Sequence, residues 1–381
     1  MKSKQESVSS FQMASLLLTF TTGSSVIFIP GQITNAAKNG AWISILISYL
    51  LGVMILAILI YLYKRAPELS WVGFMRKTAG PWVTSLLLIP LTFVIFWQLA
   101  AIVIEIGGFF KSTMMKDTPN SIIQGLFFLT VALTARAGIE VMARMFLLLL
   151  IFMYIFVMAV LLLASPLFHG EYLLPVIPDG FKPILYGAYI SYGFPYAEIA
   201  LFSLLLPFTR RKESGRLTKY LHLALFINCL TLVFSILCTI MVLGPMSGHL
   251  NYSLFQLARL ISIQDILERV ESVIGFSLII GVYMKAAIVL FMITTLLSDW
   301  FNIKDSRLLT YPVALIGLLL SVSMYPDEIT FFVDGYTMWT LIDHTAYVMP
   351  LLIIFVVALF RRKKGGTSSP TAASSSQNGK P

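Results

Sequence analysis

Long apolar runs separated by short polar segments dominate the pattern of this chain. A helix needs about 20 apolar residues to cross a hydrocarbon core of about 30 Å. Segments that meet or approach this length are 11–36, 41–63, 81–110, 119–135, 143–164, 182–206, 217–243, 270–298, 308–324 and 337–360. The pattern therefore predicts an all-α integral membrane protein with ten transmembrane helices.

Two of the predicted helices contain helix-weakening residues near their middle. Span 11–36 contains Thr21-Thr22-Gly23-Ser24-Ser25, and span 182–206 contains Ser191-Tyr192-Gly193-Phe194-Pro195. Unwound backbone inside a bilayer is tolerated only where it is buried in protein or lines a cavity. Either interruption alone is compatible with an ordinary kink, but the matched pair predicts a polar ligand site near the middle of the membrane.

The order of the spans predicts internal symmetry. Five spans lie in 11–164 and five in 182–360, on either side of an outer loop at 165–181. Because each half has an odd number of spans, the second half enters the membrane from the opposite side. We therefore expect a five-plus-five inverted repeat of the LeuT-like kind, in which broken helices 1 and 6 lie antiparallel at the pseudo-two-fold axis.

Charge placement is consistent with this topology. With the N-terminus inside, the inner segments hold 20 lysines and arginines and the outer segments hold six, while Lys285 lies within a span. Such an excess is typical of cytoplasmic loops. The net charge of +9 is thereby explained without nucleic acid, and residues 1–10 and 361–381 are predicted to be cytoplasmic, the latter as a disordered tail rich in Ser, Gly and Thr.

Composition and motifs argue against an enzyme. Hydrophobic residues make up 58% of the chain, charged residues 12%, and the mean hydropathy is +0.86. Cys229 and Cys238 are nine residues apart in one span, and the four histidines are scattered without metal-ligand spacing. We expect no enzymatic activity, no metal site and no cofactor.

The two interruptions suggest how a ligand would be held. Broken helix ends present N–H groups with positive partial charge and carbonyls with negative partial charge, a pair that matches an amino acid zwitterion. Its carboxylate would face the first interruption and its ammonium the second. Aromatic and amide side chains of the third span would wall the pocket. The predicted ligand-binding residues are Thr22, Gly23, Ser24, Ser25, Phe96, Gln98, Ser191, Tyr192, Gly193, Phe194 and Glu198.

Ionisable side chains within spans are costly and are often functional. Glu198 lies about one turn past the second interruption, and Lys285 lies in the middle of span 270–298. Three roles remain open for Glu198: pairing with Lys285, binding the ligand ammonium, or carrying a proton. Lys285 is predicted to occupy the place that a sodium ion takes in related transporters. The sequence assigns no role to Glu105 or Asp343.

Four short motifs resemble those of the spore germination permeases, the B subunits of nutrient germinant receptors in the amino acid-polyamine-organocation superfamily. They are Leu174-Pro175-Val176, Ser253-Leu254-Phe255-Gln256, Glu268-Arg269-Val270-Glu271-Ser272 and Tyr325-Pro326-Asp327. The resemblance implies a nutrient sensor in the inner membrane of a bacterial spore, acting with a membrane A subunit and a lipoprotein C subunit. The alternative is a transporter of amino acids or polyamines that is coupled to protons through Glu198 or Lys285.

Overall fold

The computed structural model describes residues 6–211, 214–261, 269–325, 330 and 338–364. The α-helices in these ranges are α1 Ser10–Thr22, α2 Ser25–Ala37, α3 Ala41–Arg65, α4 Trp71–Ala79, α5 Pro81–Thr113, α6 Asn120–Ala137, α7 Ile139–Leu163, α8 Phe181–Ser191, α9 Ser214–Leu243, α10 Ser253–Arg259, α11 Glu271–Phe301, α12 Thr310–Ser323 and α13 Met349–Lys364. A further helical stretch covers 338–343.

Seven helical stretches in these ranges are long and apolar enough to cross a bilayer: Ser25–Arg65, Pro81–Thr113, Ile139–Leu163, Gly215–Leu243, Glu271–Phe301, Ser306–Ser323 and Met338–Phe360. The protein is therefore a multi-pass membrane protein. Predicted spans 11–36 and 182–206 are not continuous helices, because each of them is interrupted. Predicted span 119–135 coincides with α6, which is only 18 residues long. α11 lies at the centre of the bundle, since 83% of its most apolar 18 residues are buried, against 33% in α7.

Both interruptions lie at the predicted residues. α1 ends at Thr22 and α2 begins at Ser25, with Gly23 and Ser24 between them. α8 ends at Ser191, and the chain then forms a widened turn at Tyr192–Tyr196, in which Phe194 has non-helical angles of φ −125° and ψ 118°. Pro195 contributes to this second interruption, because a proline lacks the N–H and disfavours the helical conformation in the residue before it.

Three features differ from the sequence prediction. The amphipathic helix α4 and the short helix α10 were not among the predicted spans, because neither is long enough to cross a membrane. α13 continues to Lys364, so the first four residues of the predicted disordered tail are helical. No proline or glycine stops this helix before Gly365. Residues 365–381 lie outside the described residues, as do Glu268, Pro326 and Asp327 of the motifs.

The N-terminal segment, residues 6–9, is held across one end of the bundle by hydrogen bonds and an ion pair. The Val8 N–H donates to the Phe208 carbonyl (2.9 Å), and the Arg210 N–H donates to the Val8 carbonyl (2.9 Å). The Glu6 carboxylate accepts the Ile139 N–H (2.9 Å) and pairs with Arg307. The segment thus joins the end of the second broken helix, which consists of α8 and the helical turns that follow it up to Phe208, to the starts of α7 and α12.

Candidate functional site

The first interruption is held against α11 by backbone contact. A Cβ added at Gly281 would lie only 1.8 Å from the Gly23 carbonyl oxygen, and a Cβ added at Gly23 would lie 2.5 Å from the Gly281 carbonyl oxygen. Glycine is needed at both positions because only glycine permits so close an approach of two backbones. The interrupted helix is therefore in direct contact with the helix that carries Lys285.

Side chains of α7 and α9 surround the same interruption. Asn228 Nδ2 donates to Thr22 Oγ1 (3.0 Å), and Tyr154 OH lies 3.5 Å from the same hydroxyl. Further along, Ser235 Oγ donates to the Val26 carbonyl (3.3 Å). Asn228 and Tyr154 are not among the predicted ligand-binding residues, although an asparagine within an apolar span is a detectable signal.

The predicted serines of the first interruption differ in availability. Ser25 Oγ, at the start of α2, donates to the Thr21 carbonyl of α1 (2.6 Å). Within the part of the chain that the structure describes, Ser24 Oγ and Asn228 Oδ1 are both buried and have no hydrogen-bond partner. Since buried polar atoms are normally paired, the Ser24 hydroxyl offers an unsatisfied donor where the sequence predicts the ligand carboxylate, and Asn228 Oδ1 offers an unsatisfied acceptor beside it.

The second interruption divides its side chains between two directions. Ser191 Oγ donates to Ser48 Oγ of α3 (2.8 Å), and Tyr192 OH lies 2.6 Å from Nδ1 of His344. A Cβ at Gly193 would lie 2.3 Å from Thr340 Oγ1. These three residues thus contact α3 and the segment 338–348. Phe194 instead faces α11.

A buried ion pair joins the second broken helix to α11. Lys285 Nζ lies 2.7 Å from Glu198 Oε2 and 3.1 Å from Glu198 Oε1, and both side chains are at most 1% exposed. The Lys285 ammonium also lies 4.0 Å from the centre of the Phe194 ring and 5.3 Å from that of Phe20. Of the three roles open to Glu198, pairing with Lys285 is the one seen in this geometry.

Two further side chains complete a chain of hydrogen bonds from this pair. Gln98 Nε2 donates to Glu198 Oε1 (2.6 Å), and Tyr347 OH donates to Gln98 Oε1 (3.1 Å). Both residues are buried. Fully satisfied networks of this kind are rigid and are worth more than their separate bonds. The network links α5, the second broken helix, α11 and the segment 344–348.

The other residues of interest stand apart from this chain of bonds. Phe96 is partly buried against the apolar core and remains a prediction as a pocket residue. Glu105 is 8% exposed in α5, and Asp343 is fully buried in the 338–343 stretch. Neither carboxylate oxygen of Asp343 has a hydrogen-bond partner in the described ranges of the chain.

Comparison with known sequences decides the family. A sequence model of the family described as spore germination protein matches residues 7–331. The chain belongs to the spore germination protein family. This spore germination protein is 25% identical over 355 residues to spore germination protein KB of Bacillus subtilis (strain 168), covering 91% of the chain and 93% of that relative. It is 24% identical to spore germination protein XB of Bacillus anthracis, covering 76% and 81%.

Solved structures show the fold of this spore germination protein. MhsT in complex with L-phenylalanine superposes with a TM-score of 0.71 at 15% identity, covering 94% of this chain and 90% of MhsT. Mhp1, a nucleobase-cation-symport-1 family transporter, superposes with a TM-score of 0.61 at 13% identity, covering 96% and 95%. At such identities the likeness concerns the fold alone, which is the LeuT fold of these transporters.

Proposed function

We propose that this protein is the germinant-sensing membrane subunit of a nutrient germinant receptor in the inner membrane of a bacterial spore. The match to the spore germination protein family over residues 7–331 is the observation that carries the proposal. The relatives from Bacillus subtilis and Bacillus anthracis described above are both spore germination proteins.

The proposed topology has ten spans in a five-plus-five inverted repeat, with both termini cytoplasmic. The excess of lysine and arginine in the inner segments supports this orientation. The likeness to LeuT-fold transporters over more than nine-tenths of the chain supports the repeat.

The proposed ligand is an amino acid or a similar small nutrient, bound between the two interruptions. Ser24 and Asn228 supply unsatisfied hydrogen-bonding atoms beside the first interruption. Beside the second, the Lys285–Glu198 pair connects the broken helix to α11. A ligand that binds more tightly when these elements are rearranged shifts the population toward that arrangement. Membrane A and lipoprotein C subunits would receive the change.

A second candidate function is amino acid or polyamine transport coupled to protons. Its support is the fold shared with transporters such as MhsT, together with two ionisable side chains buried at the centre of the bundle. Both functions use the same site. They differ in whether the bound ligand reaches the other side of the membrane.

Proteoliposomes containing the purified full chain separate the two functions. We would measure binding and uptake of each radiolabelled proteinogenic amino acid, with and without an imposed proton gradient. Saturable binding without uptake supports the sensor. Uptake that follows the proton gradient supports the transporter and leaves the sensor role without a biochemical basis.

Variants at two serines of the first broken helix, Ser24 and Ser15, test the location of the site. Ser24→Ala removes an unpaired hydroxyl and should weaken binding, while Ser15→Ala removes a hydroxyl that donates to the Gln12 carbonyl (2.8 Å) and should leave binding unchanged. Gly193→Leu would be a poor probe because it would drive a side chain into Thr340. Equal binding by wild type and Ser24→Ala contradicts the contact with Ser24.

A further inference from the structure

Acidic groups outnumber basic ones at the buried centre of the bundle. Among the residues that the structure describes, the buried carboxylates are Glu105, Glu198 and Asp343, whereas Lys285 is the one buried lysine or arginine. Lys285 is committed to Glu198, which it contacts through both carboxylate oxygens. Burial of a charge without a partner is costly. A buried carboxylate without a partner is neutralised either by a proton or by a bound cation.

Asp343 is the buried carboxylate that is placed to receive a cation. Thr340, Asp343 and Tyr347 follow each other at helical spacing and therefore share one face. Thr340 contacts Gly193, and Tyr347 donates to Gln98. Asp343 consequently lies between the second interruption and the chain of hydrogen bonds that ends at Glu198.

None of the residues that the structure describes donates a hydrogen bond to Asp343. The indole N–H of Trp339, one turn earlier, faces the carboxylate without reaching the geometry of a hydrogen bond. Among the described residues, Lys285 forms its ion pair with Glu198, and neither of the two forms a hydrogen bond with Asp343. Both carboxylate oxygens are thus available to a ligand in a fully buried position.

The surroundings favour an organic ammonium over a metal ion. Within the described ranges, no three or more His, Cys, Asp or Glu side chains lie close enough together to hold a metal, and hard cations need several oxygen ligands. Aromatic residues instead neighbour Asp343 along the helix: Trp339, one turn earlier, packs on Trp97 at 4.7 Å between centroids, and His344, the next residue, contacts Tyr192. One carboxylate among aromatic faces suits an ammonium group.

We propose that Asp343 is the counter-ion for the ammonium group of an amine-bearing ligand bound beside the second interruption. This inference rests on the proposed nutrient-binding function and replaces backbone carbonyls with Asp343 as the principal partner of the ammonium.

The test uses the full chain in lipid nanodiscs and measures dissociation constants. The probes are the proteinogenic amino acids, putrescine, sodium chloride and potassium chloride. A further probe is an analogue of the tightest-binding amino acid, namely the carboxylic acid that differs from it only by lacking the amino group. Asp343→Asn changes charge with little change in shape, and Asp179→Asn is the matched control at an exposed carboxylate that pairs with Lys38.

Asp343→Asn should weaken binding of the amine-bearing probe about 10- to 100-fold, as expected for loss of a charged hydrogen-bond partner. It should leave binding of the analogue without an amino group unchanged, and Asp179→Asn should match wild type. If Asp343→Asn binds the amine-bearing probe as tightly as wild type does, the assignment of Asp343 is overturned, while the proposed function stands. The assignment is also overturned if Asp343→Asn loses a sodium or potassium ion that wild type binds and still binds the amine-bearing probe. Wild-type protein that binds no amine-bearing probe overturns both this inference and the proposed function.

Discussion

The Lys285 ammonium lies 2.7 Å from Glu198 Oε2, so that α11 and the second broken helix are joined by an ion pair that is almost completely buried. The sequence separation of the two residues is 87. Removing one partner of a buried pair leaves the other charge uncompensated, whereas removing both often costs little. This difference makes the pair testable by paired substitutions.

Lys285→Met should lower the free energy of unfolding by about 3–5 kcal/mol, because Glu198 would be left buried without its counter-charge. The double variant Lys285→Met/Glu198→Gln should recover most of that loss. Thermal unfolding of the purified protein in detergent gives the comparison. A double variant no more stable than Lys285→Met would mean that the pair is not the source of the effect.

The hydrogen bond from Tyr347 to Gln98 provides a second test of the network. Tyr347→Phe removes only the hydroxyl, and we expect a loss of about 1 kcal/mol of stability, the usual net value of a hydrogen bond. Tyr186→Phe is the control, since Tyr186 is 48% exposed. Unfolding curves of the two variants should differ, and coinciding curves would exclude an energetic contribution from this bond.

Gly281→Ala should prevent accumulation of folded protein. The added Cβ would lie 1.8 Å from the Gly23 carbonyl oxygen, so that α11 and the first broken helix would have to separate. Gly125→Ala in α6 is the matched control, because its Cβ would meet nothing within 4 Å and alanine favours a helix by up to about 1 kcal/mol. Monodisperse protein yield measures the outcome. Normal yield of Gly281→Ala would show that the two backbones can move apart freely.

The sequence could predict the elements and the places where they break, since both follow from local signals. Apolar length locates the helices, and Gly23 and Pro195 mark the interruptions. Contacts between distant residues leave no such signal. Gln98 and Tyr347, for example, are 249 residues apart.

The direction of the side chains near an interruption could not be predicted from the sequence either. Ser191 contacts Ser48 of α3 rather than the first broken helix. Helical periodicity assigns a face only while the helix continues, and here it stops at Ser191. Asn228 and Asp343 were visible as polar residues in apolar spans, but their neighbours become apparent only when the helices are assembled.

The N-terminal segment should open more readily when Glu6 is replaced. In Glu6→Ala, the Ile139 N–H and Arg307 lose their shared acceptor, and the backbone pairing of Val8 with Phe208 and Arg210 loses its anchor. An exposed ion pair contributes modestly, so we expect amide hydrogen exchange at Val8 and Arg210 to accelerate by up to about fivefold. Lys38→Ala, which removes the surface pair with Asp179, is the control and should leave these amides unchanged. Equal exchange rates in Glu6→Ala and wild type would show that the backbone bonds hold the segment without Glu6.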